Sequence, residues 1–546
     1  MKYEDVIKAA GGCGRYQIVM LNFLYIATVF DGMQIGSIVF IISEMKHRCA
    51  IPDLRNDTYK VQSEAHGKLI NEYIPEETVN GKPLYSSCHL YVNKSVLGNQ
   101  TLGNCSSWVY DKSIFQQTII SDFNLVCDKG WIAQHIYTVF FGGYLVAMLS
   151  CGWLSDRFGR KTVIVGALMM QGIAGILSSQ IRNINAILIL RFLTAVGGAG
   201  SFIPSCVFGT ELSSMKKRTN ASVAIQLYFT FGLLVVNLLA YYIRTWTLIV
   251  LLVSLPSIPA ALLYIWVLPE SPRWLLTMKK EKEAEIILNK MAKVNKRDFI
   301  CKLEEIEISM VEDRNVKLWK IFTIPQLLKT TLIMTFNWCA VSFAYFGLVL
   351  NTEHLSGNIF LNFFFGALVE VPAYLTCIFL LDRFGRKKLY IAFMFIGGIC
   401  GILTLFPFIY AEDDLQWTTT LLATISKLCV TGSFAIVFLH TCELYPTCVR
   451  NGALGALSTF ARFGGVIAPY IMMMRALAAG RFGDSLPLLT MGIVCILAGV
   501  SYFFLPETCN RLMNDTFDDL SRRNTGSIRE KDEYQLEAKT ALNRSI

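Results

Sequence analysis

The sequence predicts an all-α membrane protein in which twelve transmembrane helices form two pseudo-symmetric six-helix bundles. Three observations predict it. Hydrophobic residues fill 53% of the 546 positions and charged residues only 17%, giving a mean hydropathy of +0.45, too apolar for a soluble chain of this length. The apolar residues gather into runs of about 20, the length a bilayer-crossing helix needs. The segment Gly152-Trp-Leu-Ser-Asp-Arg-Phe-Gly-Arg-Lys161 recurs as Leu381-Asp-Arg-Phe-Gly-Arg-Lys-Lys388, about 226 residues later, each copy joining two such runs.

Residues 1–17 carry charges with no apolar core behind them, so no cleaved signal peptide is expected; the first span, 18–42, serves as a signal anchor. A long loop, 44–133, follows. It holds sequons at Asn56, Asn93, Asn99 and Asn104 and four cysteines, Cys49, Cys88, Cys105 and Cys127. These suit glycosylation and two disulfides in an oxidising compartment, with three pairings open. Further sequons at Asn220, Asn514 and Asn543 fall on the opposite side and are expected to stay bare. Most other cysteines are expected to be packed free thiols, without zinc-ligand spacing.

Spans at 134–153, 163–181, 187–209, 221–243 and 246–268 complete an N-terminal bundle over 18–268. Residues 269–328 are charge-rich and read as a helical linker, with Glu281-Lys-Glu-Ala-Glu-Ile-Ile-Leu-Asn-Lys290 as an amphipathic surface helix. Spans at 329–350, 358–380, 389–410, 418–440, 452–474 and 486–506 make the C-terminal bundle, 329–506, and the polar stretch 507–546 is predicted to be a disordered tail.

Lysine and arginine fix the orientation. Arg157, Arg160, Lys161, Lys216, Lys217, Arg218, Arg383, Arg386, Lys387 and Lys388 fall in one set of short loops, and few basic residues fall in the other. The basic set is expected in the cytoplasm with both termini, leaving 44–133 outside. The net charge of +9 follows from this topology and calls for no nucleic-acid partner.

The duplication extends beyond the loops. Glu211 and Arg218 recur as Glu443 and Arg450, and Pro269-Glu270-Ser-Pro-Arg-Trp274 has a shorter counterpart in Pro506-Glu507-Thr508. Duplicated membrane bundles are the architecture of secondary transporters. Asp156, Arg157, Arg160, Glu211, Arg218, Glu270 and Arg273, with Asp382, Arg383, Arg386, Glu443, Arg450 and Glu507, are therefore read as gating charges. They are expected to clamp the two bundles together in one orientation and release them in the other.

Four charges lie near mid-span: Asp31, Glu370, Lys427 and Arg462. Each costs about 2.5–3.5 kcal/mol at the bilayer centre unless paired or hydrated, so all four are expected to face the bundle interior. They sum to zero, which suits internal ion pairs, a zwitterionic substrate, or a substrate charge that exchanges with a protein partner. Tyr374 shares a helical face with Glu370, and Tyr345 lies in the seventh span; aromatic faces near a carboxylate suit a quaternary ammonium. Enzyme readings find no phosphate loop and no zinc protease motif. Gly197-Gly-Ala-Gly200 reads as close helix packing, and the six histidines are scattered.

At these residues a family likeness emerges. The two Asp-Arg-Phe-Gly-Arg loops resemble the signature of the major facilitator superfamily. Pro269-Glu-Ser-Pro-Arg-Trp-Leu275, Glu443-Leu-Tyr-Pro-Thr447 with Val449-Arg-Asn451, and the cysteine-bearing first loop are similar to its organic ion transporter branch, which holds organic cation, carnitine and organic anion transporters. Ser458-Thr-Phe-Ala-Arg462-Phe-Gly-Gly resembles the carnitine and anion members, where cation members carry aspartate. Phe365-Gly-Ala-Leu-Val-Glu370-Val-Pro-Ala-Tyr374 and Tyr345-Phe346-Gly347 resemble the carnitine and cation members. Gln226 matches a cavity glutamine of cation members, and Asp31 departs from the asparagine usual in carnitine members.

The resemblance implies the major facilitator fold and a plasma-membrane secondary transporter of small organic cations or zwitterions, such as carnitine-like betaines, working by alternating access. Asp31, Gln226, Tyr345, Glu370 and Tyr374 are expected around the cationic head, with Lys427 and Arg462 for a carboxylate. An organic anion exchanger using Arg462 and Lys427 is the alternative. A non-transporting receptor or adhesion protein is the alternative of another class. The expected partners are a small charged organic substrate and the lipid bilayer. No cofactor is implied, sodium or proton coupling stays open, and oligomeric state is not readable from the sequence.

Overall fold

The computed structural model describes residues 3–12, 14–52, 54, 56–79, 82–93, 101–213, 218–297, 323–355, 357–410, 415–445, 450–477 and 481–509. Among them, twelve helical segments are long and apolar enough to cross a membrane. They are Arg15–Ile41, Cys127–Phe158, Arg160–Gln180, Ile184–Leu212, Ala224–Tyr242, Trp246–Val267, Pro325–His354, Ile359–Leu381, Arg386–Tyr410, Trp417–Leu444, Gly452–Arg475 and Phe482–Tyr502, spans 1 to 12 below. The expected twelve are present, with shifted ends. Span 7, for example, reaches back to Pro325, where a proline in the first turn costs no hydrogen bond.

Local chemistry sets where the helices begin and break. The Gly14 N–H is taken by Gln17 Oε1 at 3.1 Å ahead of span 1. Asn183 and Asn358 cap spans 4 and 8, each accepting a backbone N–H at 2.9 Å. Gly159 and Gly385, at φ of 101° and 87°, turn the chain sharply between spans 2 and 3 and between spans 8 and 9, a conformation that strains any side chain. In span 8, Val369 separates helices Ile359–Leu368 and Glu370–Phe384, because Pro372 has no N–H to give the Leu368 carbonyl. The break sets Glu370 at a helix start inside the membrane, where the dipole favours a carboxylate.

The two bundles repeat their packing. Spans 1 and 5 cross so closely that a Cβ at Gly32 would collide with the Phe229 carbonyl; the related spans 7 and 11 cross at Gly464, where a Cβ would meet the Cys339 carbonyl. Between bundles, the Phe141 and Phe346 rings lie 4.6 Å apart. Phe40 of span 1 packs on Phe360 and Phe363 of span 8 at 5.8 and 4.9 Å. These contacts seal the end that bears the insertion between spans 1 and 2, where Ser43 Oγ donates to Glu353 Oε1 at 2.8 Å and the Glu44 N–H donates to the same oxygen.

The insertion contains three antiparallel strand pairs, His47–Cys49 with Trp108–Tyr110, Glu76–Val79 with Lys82–Tyr85, and His89–Asn93 with Thr101–Asn104. Of the three pairings open to its cysteines, the structure has Cys49–Cys105 and Cys88–Cys127. Arg48, buried at 2% exposure, grips Asp57, whose Oδ1 also meets His66 Nε2 at 3.0 Å. Asn56 and Asn104 are exposed, Asn93 ends a strand, and Asn99 lies outside the described residues.

At the opposite end, helices Pro272–Thr277 and Glu281–Val294 begin the linker. Asn295 ties them to the start of span 1. Its Oδ1 accepts the Tyr16 N–H at 3.0 Å, and its Nδ2 donates to the Ala10 carbonyl and Gln17 Oε1 at 2.8 Å each. Linker residues 298–322 and tail residues 510–546 lie outside the described residues.

Candidate functional site

The duplicated loops fold into duplicated ion clusters at the linker end. In the N-terminal bundle, Arg160 Nη2 meets Asp156 Oδ1 at 2.8 Å and Glu211 Oε1 at 3.2 Å. Ser271 Oγ donates to Glu211 Oε2, and Glu270 Oε1 accepts the N–H groups of Arg160 and Lys161 at 2.8 and 3.2 Å. The C-terminal bundle repeats the design. Arg386 Nη2 meets Glu443 Oε1 at 3.0 Å, Thr508 Oγ1 donates to Glu443 Oε2, and Glu507 accepts the N–H groups of Arg386 and Lys387 at 2.9 and 3.1 Å.

These contacts join residues of the same bundle, and the Glu that follows each bundle accepts the N–H groups of its own bundle's loop; the clamp between bundles that the sequence reading assigned to one orientation stays a proposal. Arg157 lies over the rings of Trp153 and Phe158 at 5.3 and 5.6 Å. Arg273 is half-buried and Arg383 exposed. The side chains of Arg218, Asp382 and Arg450 lie outside the described residues.

The four mid-membrane charges sort into two groups. Glu370, at 0% exposure, receives three donors: Tyr345 OH at 2.8 Å and Lys427 Nζ at 3.3 Å on Oε1, and Thr230 Oγ1 at 2.7 Å on Oε2. Lys427 Nζ also lies 5.8 Å from the centre of the Tyr345 ring. Tyr374 is buried one turn from Glu370. Gln226 is half-buried one turn nearer the linker end than Thr230 and, among the described residues, makes no side-chain contact that ties it to the charges.

The second group spans the bundle interface. Asp31 Oδ1 accepts the hydroxyl hydrogen bond of Tyr144 from span 2, and Arg462 of span 11 lies 5.7 Å from the centre of that same ring. A Cβ at Gly198 would stand 2.5 Å from Asp31 Oδ1 and 3.1 Å from the Tyr144 hydroxyl, so this glycine makes room for the pair. Arg462 Nε is buried without a partner, and its guanidinium forms no hydrogen bond or ion pair among the described residues.

Lys427 is therefore matched by Glu370, whereas Arg462 faces Asp31 only through a shared tyrosine. Three donors engage the Glu370 carboxylate, one of them Lys427, whose ion pair with it the sequence reading expects to separate when substrate enters. Tyr144 and Thr230 escaped the sequence reading. Thr230 sits one turn from Gln226 and so was within reach of helical spacing, but a tyrosine in span 2 has no signal that separates it from packing aromatics. Arg191 in span 4 stands apart: it is 1% exposed, and its three guanidinium nitrogens have no partner among the described residues.

A family described as sugar (and other) transporter matches residues 90–516. Organic cation/carnitine transporter 2 of Homo sapiens and of Rattus norvegicus are each 31% identical to this chain over 544 residues, covering 95% of it and 94% of the relative. The organic cation transporter protein of Drosophila melanogaster is 30% identical over 532 residues, with 95% and 94% covered. Among solved structures, the proton:xylose symporter XylE bound to 6-bromo-6-deoxy-D-glucose aligns with a TM-score of 0.59 at 17% identity, covering 91% of this chain and 98% of that one. The inward open conformation of XylE from E. coli aligns with a TM-score of 0.56, covering 90% and 97%.

Proposed function

This chain belongs to the organic cation and carnitine transporter family, solute carrier family 22, within the sugar (and other) transporters of the major facilitator superfamily, and on that premise we propose that it carries small organic cations, and preferentially betaine-like zwitterions, across the plasma membrane by alternating access. The family is one of transporters rather than enzymes. The observation that carries the reading is the unmatched guanidinium of Arg462 over the Tyr144 ring, in a molecule whose other mid-span acid, Glu370, is already engaged by Lys427. A guanidinium without a partner suits a carboxylate, which it can hold by two parallel hydrogen bonds.

An ammonium head bound at the same time would find the Tyr345 ring, 5.8 Å from which the Lys427 ammonium sits. There it could take over the position of the Lys427 ammonium, and a desolvated cation–π contact contributes up to about 2 kcal/mol. The names of the relatives, organic cation and carnitine transporters, agree with a site that holds opposed charges. The crowding of basic residues at the linker end supports a cytoplasmic placement for that end and for both termini, with the disulfide-bearing insertion outside.

The test is uptake of an ammonium, a betaine and a dicarboxylate, each with and without sodium, by wild type and Arg462→Ala. Betaine uptake is expected to fall at least about ten-fold in the variant, the loss of a charge-assisted hydrogen bond, while ammonium uptake changes little. Equal losses would defeat the zwitterion reading. Uptake dominated by the dicarboxylate would favour an anion exchanger built on Arg462 and Lys427, which the same unmatched guanidinium also suits.

A further inference from the structure

Hydroxyls inside these spans mostly turn back on their own helix. Thr194 donates to the Leu190 carbonyl at 2.8 Å, Ser205 to Ser201 and Thr441 to Val437 at 2.7 Å each. Thr230 is 0% exposed, and its Oγ1 instead reaches out of span 5 and across the bundle interface to Glu370 Oε2 at 2.7 Å. The other two donors on Glu370, Tyr345 and Lys427, come from the same bundle as Glu370 itself. Glu370 thus has one oxygen held by its own bundle and the other held by the opposite one.

The two kinds of donor differ in what happens when the carrier reorients. Spans 5 and 8 meet at the sealed insertion end, where Tyr241 packs on Phe360 with ring centres 5.5 Å apart. On the alternating-access reading, opening that end parts the two spans. Tyr345 and Lys427 move with Glu370, whereas Thr230 is withdrawn from it.

We propose that Thr230 is a positioning residue that makes the cation affinity of Glu370 depend on orientation: Oε2 is open when the insertion end is open and is filled by the Thr230 hydroxyl when that end is sealed. This rests on the transport reading above. A positive group loaded from the insertion side meets a carboxylate with a free oxygen. After reorientation the same group competes with the Thr230 hydroxyl and is released toward the linker end. The device is intramolecular competition, and it needs only one hydroxyl because a hydrogen bond to a buried carboxylate changes an equilibrium by roughly ten-fold or more.

The experiment uses full-length protein in proteoliposomes of defined orientation, with KM for a quaternary ammonium and for a betaine measured separately from each side. Wild type is expected to bind more tightly from the insertion side. Thr230→Val keeps the shape and loses the donor; it should tighten KM from the linker side by roughly ten-fold, leave KM from the insertion side unchanged, and lower the turnover set by release. Thr230→Ser should restore the asymmetry. An unchanged ratio of the two KM values in Thr230→Val, or a Ser variant that behaves like Val, would overturn the proposal, as would parallel weakening from both sides, the pattern of a merely structural threonine. Transport of neither compound by wild type would instead defeat the underlying reading, a distinct outcome because it needs no variant. Thermal unfolding of each variant in detergent separates loss of fold from loss of asymmetry.

Discussion

Arg462 lies 5.7 Å from the centre of the Tyr144 ring, while the hydroxyl of that ring is spent on Asp31. One side chain therefore keeps the only acid and the only guanidinium of this group from meeting directly. Tyr144→Phe should retain the ring beneath Arg462 and release Asp31. With its hydrogen bond gone, Asp31 is expected to turn toward Arg462 and compete with a substrate carboxylate, raising the KM for a betaine by roughly ten-fold. The KM for a simple ammonium should move much less. A betaine KM equal to wild type would show that the tyrosine hydroxyl does not hold the two charges apart.

Glu370 and Lys427 make the complementary case, a matched pair at 3.3 Å with both partners buried. Removing one partner of a buried pair leaves the other uncompensated, at a cost of about 3–5 kcal/mol, whereas replacing both with apolar groups is close to neutral. Glu370→Gln should therefore lower the unfolding temperature in detergent, and Glu370→Gln with Lys427→Met should recover most of the loss. Uptake should stay abolished in the double variant. Recovered uptake would mean that the pair serves packing alone.

Gly198 separates a packing role from a site role. Gly197 meets the backbone of span 3, where a Cβ would lie 2.6 Å from the Ala167 carbonyl, but the neighbouring Gly198 faces the Asp31 carboxylate. An alanine at 198 would stand 2.5 Å from Asp31 Oδ1, inside van der Waals contact, and must displace the Asp31–Tyr144 pair. Gly198→Ala is expected to reach the membrane at wild-type levels and to lose most betaine uptake. Normal uptake with normal abundance would place Asp31 outside the transport pathway.

How much of this was legible depends on the range of the interaction. Span number, the duplicated loops and the linker helix follow from periodicity and spacing within a few turns, and the structure has them with shifted ends. The break in span 8 was in principle readable from Pro372. Pairings across helices were not. Asp31, Glu370, Lys427 and Arg462 could be put in one interior by the cost of burying charge, but which acid faces which base depends on the rotation of spans 1, 8, 10 and 11 about their axes. Apolar composition alone leaves that rotation undetermined, because the helices are hydrophobic nearly all round. Tyr144 and Thr230 matter only through partners on other helices, so a single chain in one dimension carries no mark of them.

Arg191, like Arg462, lacks a partner for its guanidinium, with three nitrogens unpartnered among the described residues at 1% exposure. A methionine of similar reach removes the charge and fills the space. Arg191→Met is expected to raise thermal stability in detergent, by on the order of 1–4 kcal/mol on the scale of buried ionic groups replaced by apolar ones. Transport should fall, since an ionisable group kept at such cost inside a membrane normally has a working role. A variant less stable than wild type would show that the guanidinium is well solvated in place.

The two glutamates that cap the duplicated loops offer a test of how far the symmetry extends. Burial pushes the Glu270 carboxyl up, and the N–H groups of Ser271, Lys161 and Arg160 only partly offset it, so it stays above the ordinary glutamate value. Burial also pushes Glu507 up, but the N–H groups of Cys509, Arg386, Thr508 and Lys387 outweigh it and hold that carboxyl below the ordinary value. The signs then oppose. Glu507 contributes stability above the ordinary glutamate pKa, lost as the pH falls through its lower folded value. Glu270 contributes below the ordinary pKa, and its contribution is lost as the pH rises through its raised folded value. At neutral pH the fold favours the charge at 507 and pays for it at 270, so Glu507→Gln should destabilise more than Glu270→Gln, despite matching positions. Melting of both variants from pH 4 to 8 checks this: equal losses at every pH would mean that the two caps are electrostatically equivalent and that the second half of the chain merely repeats the first.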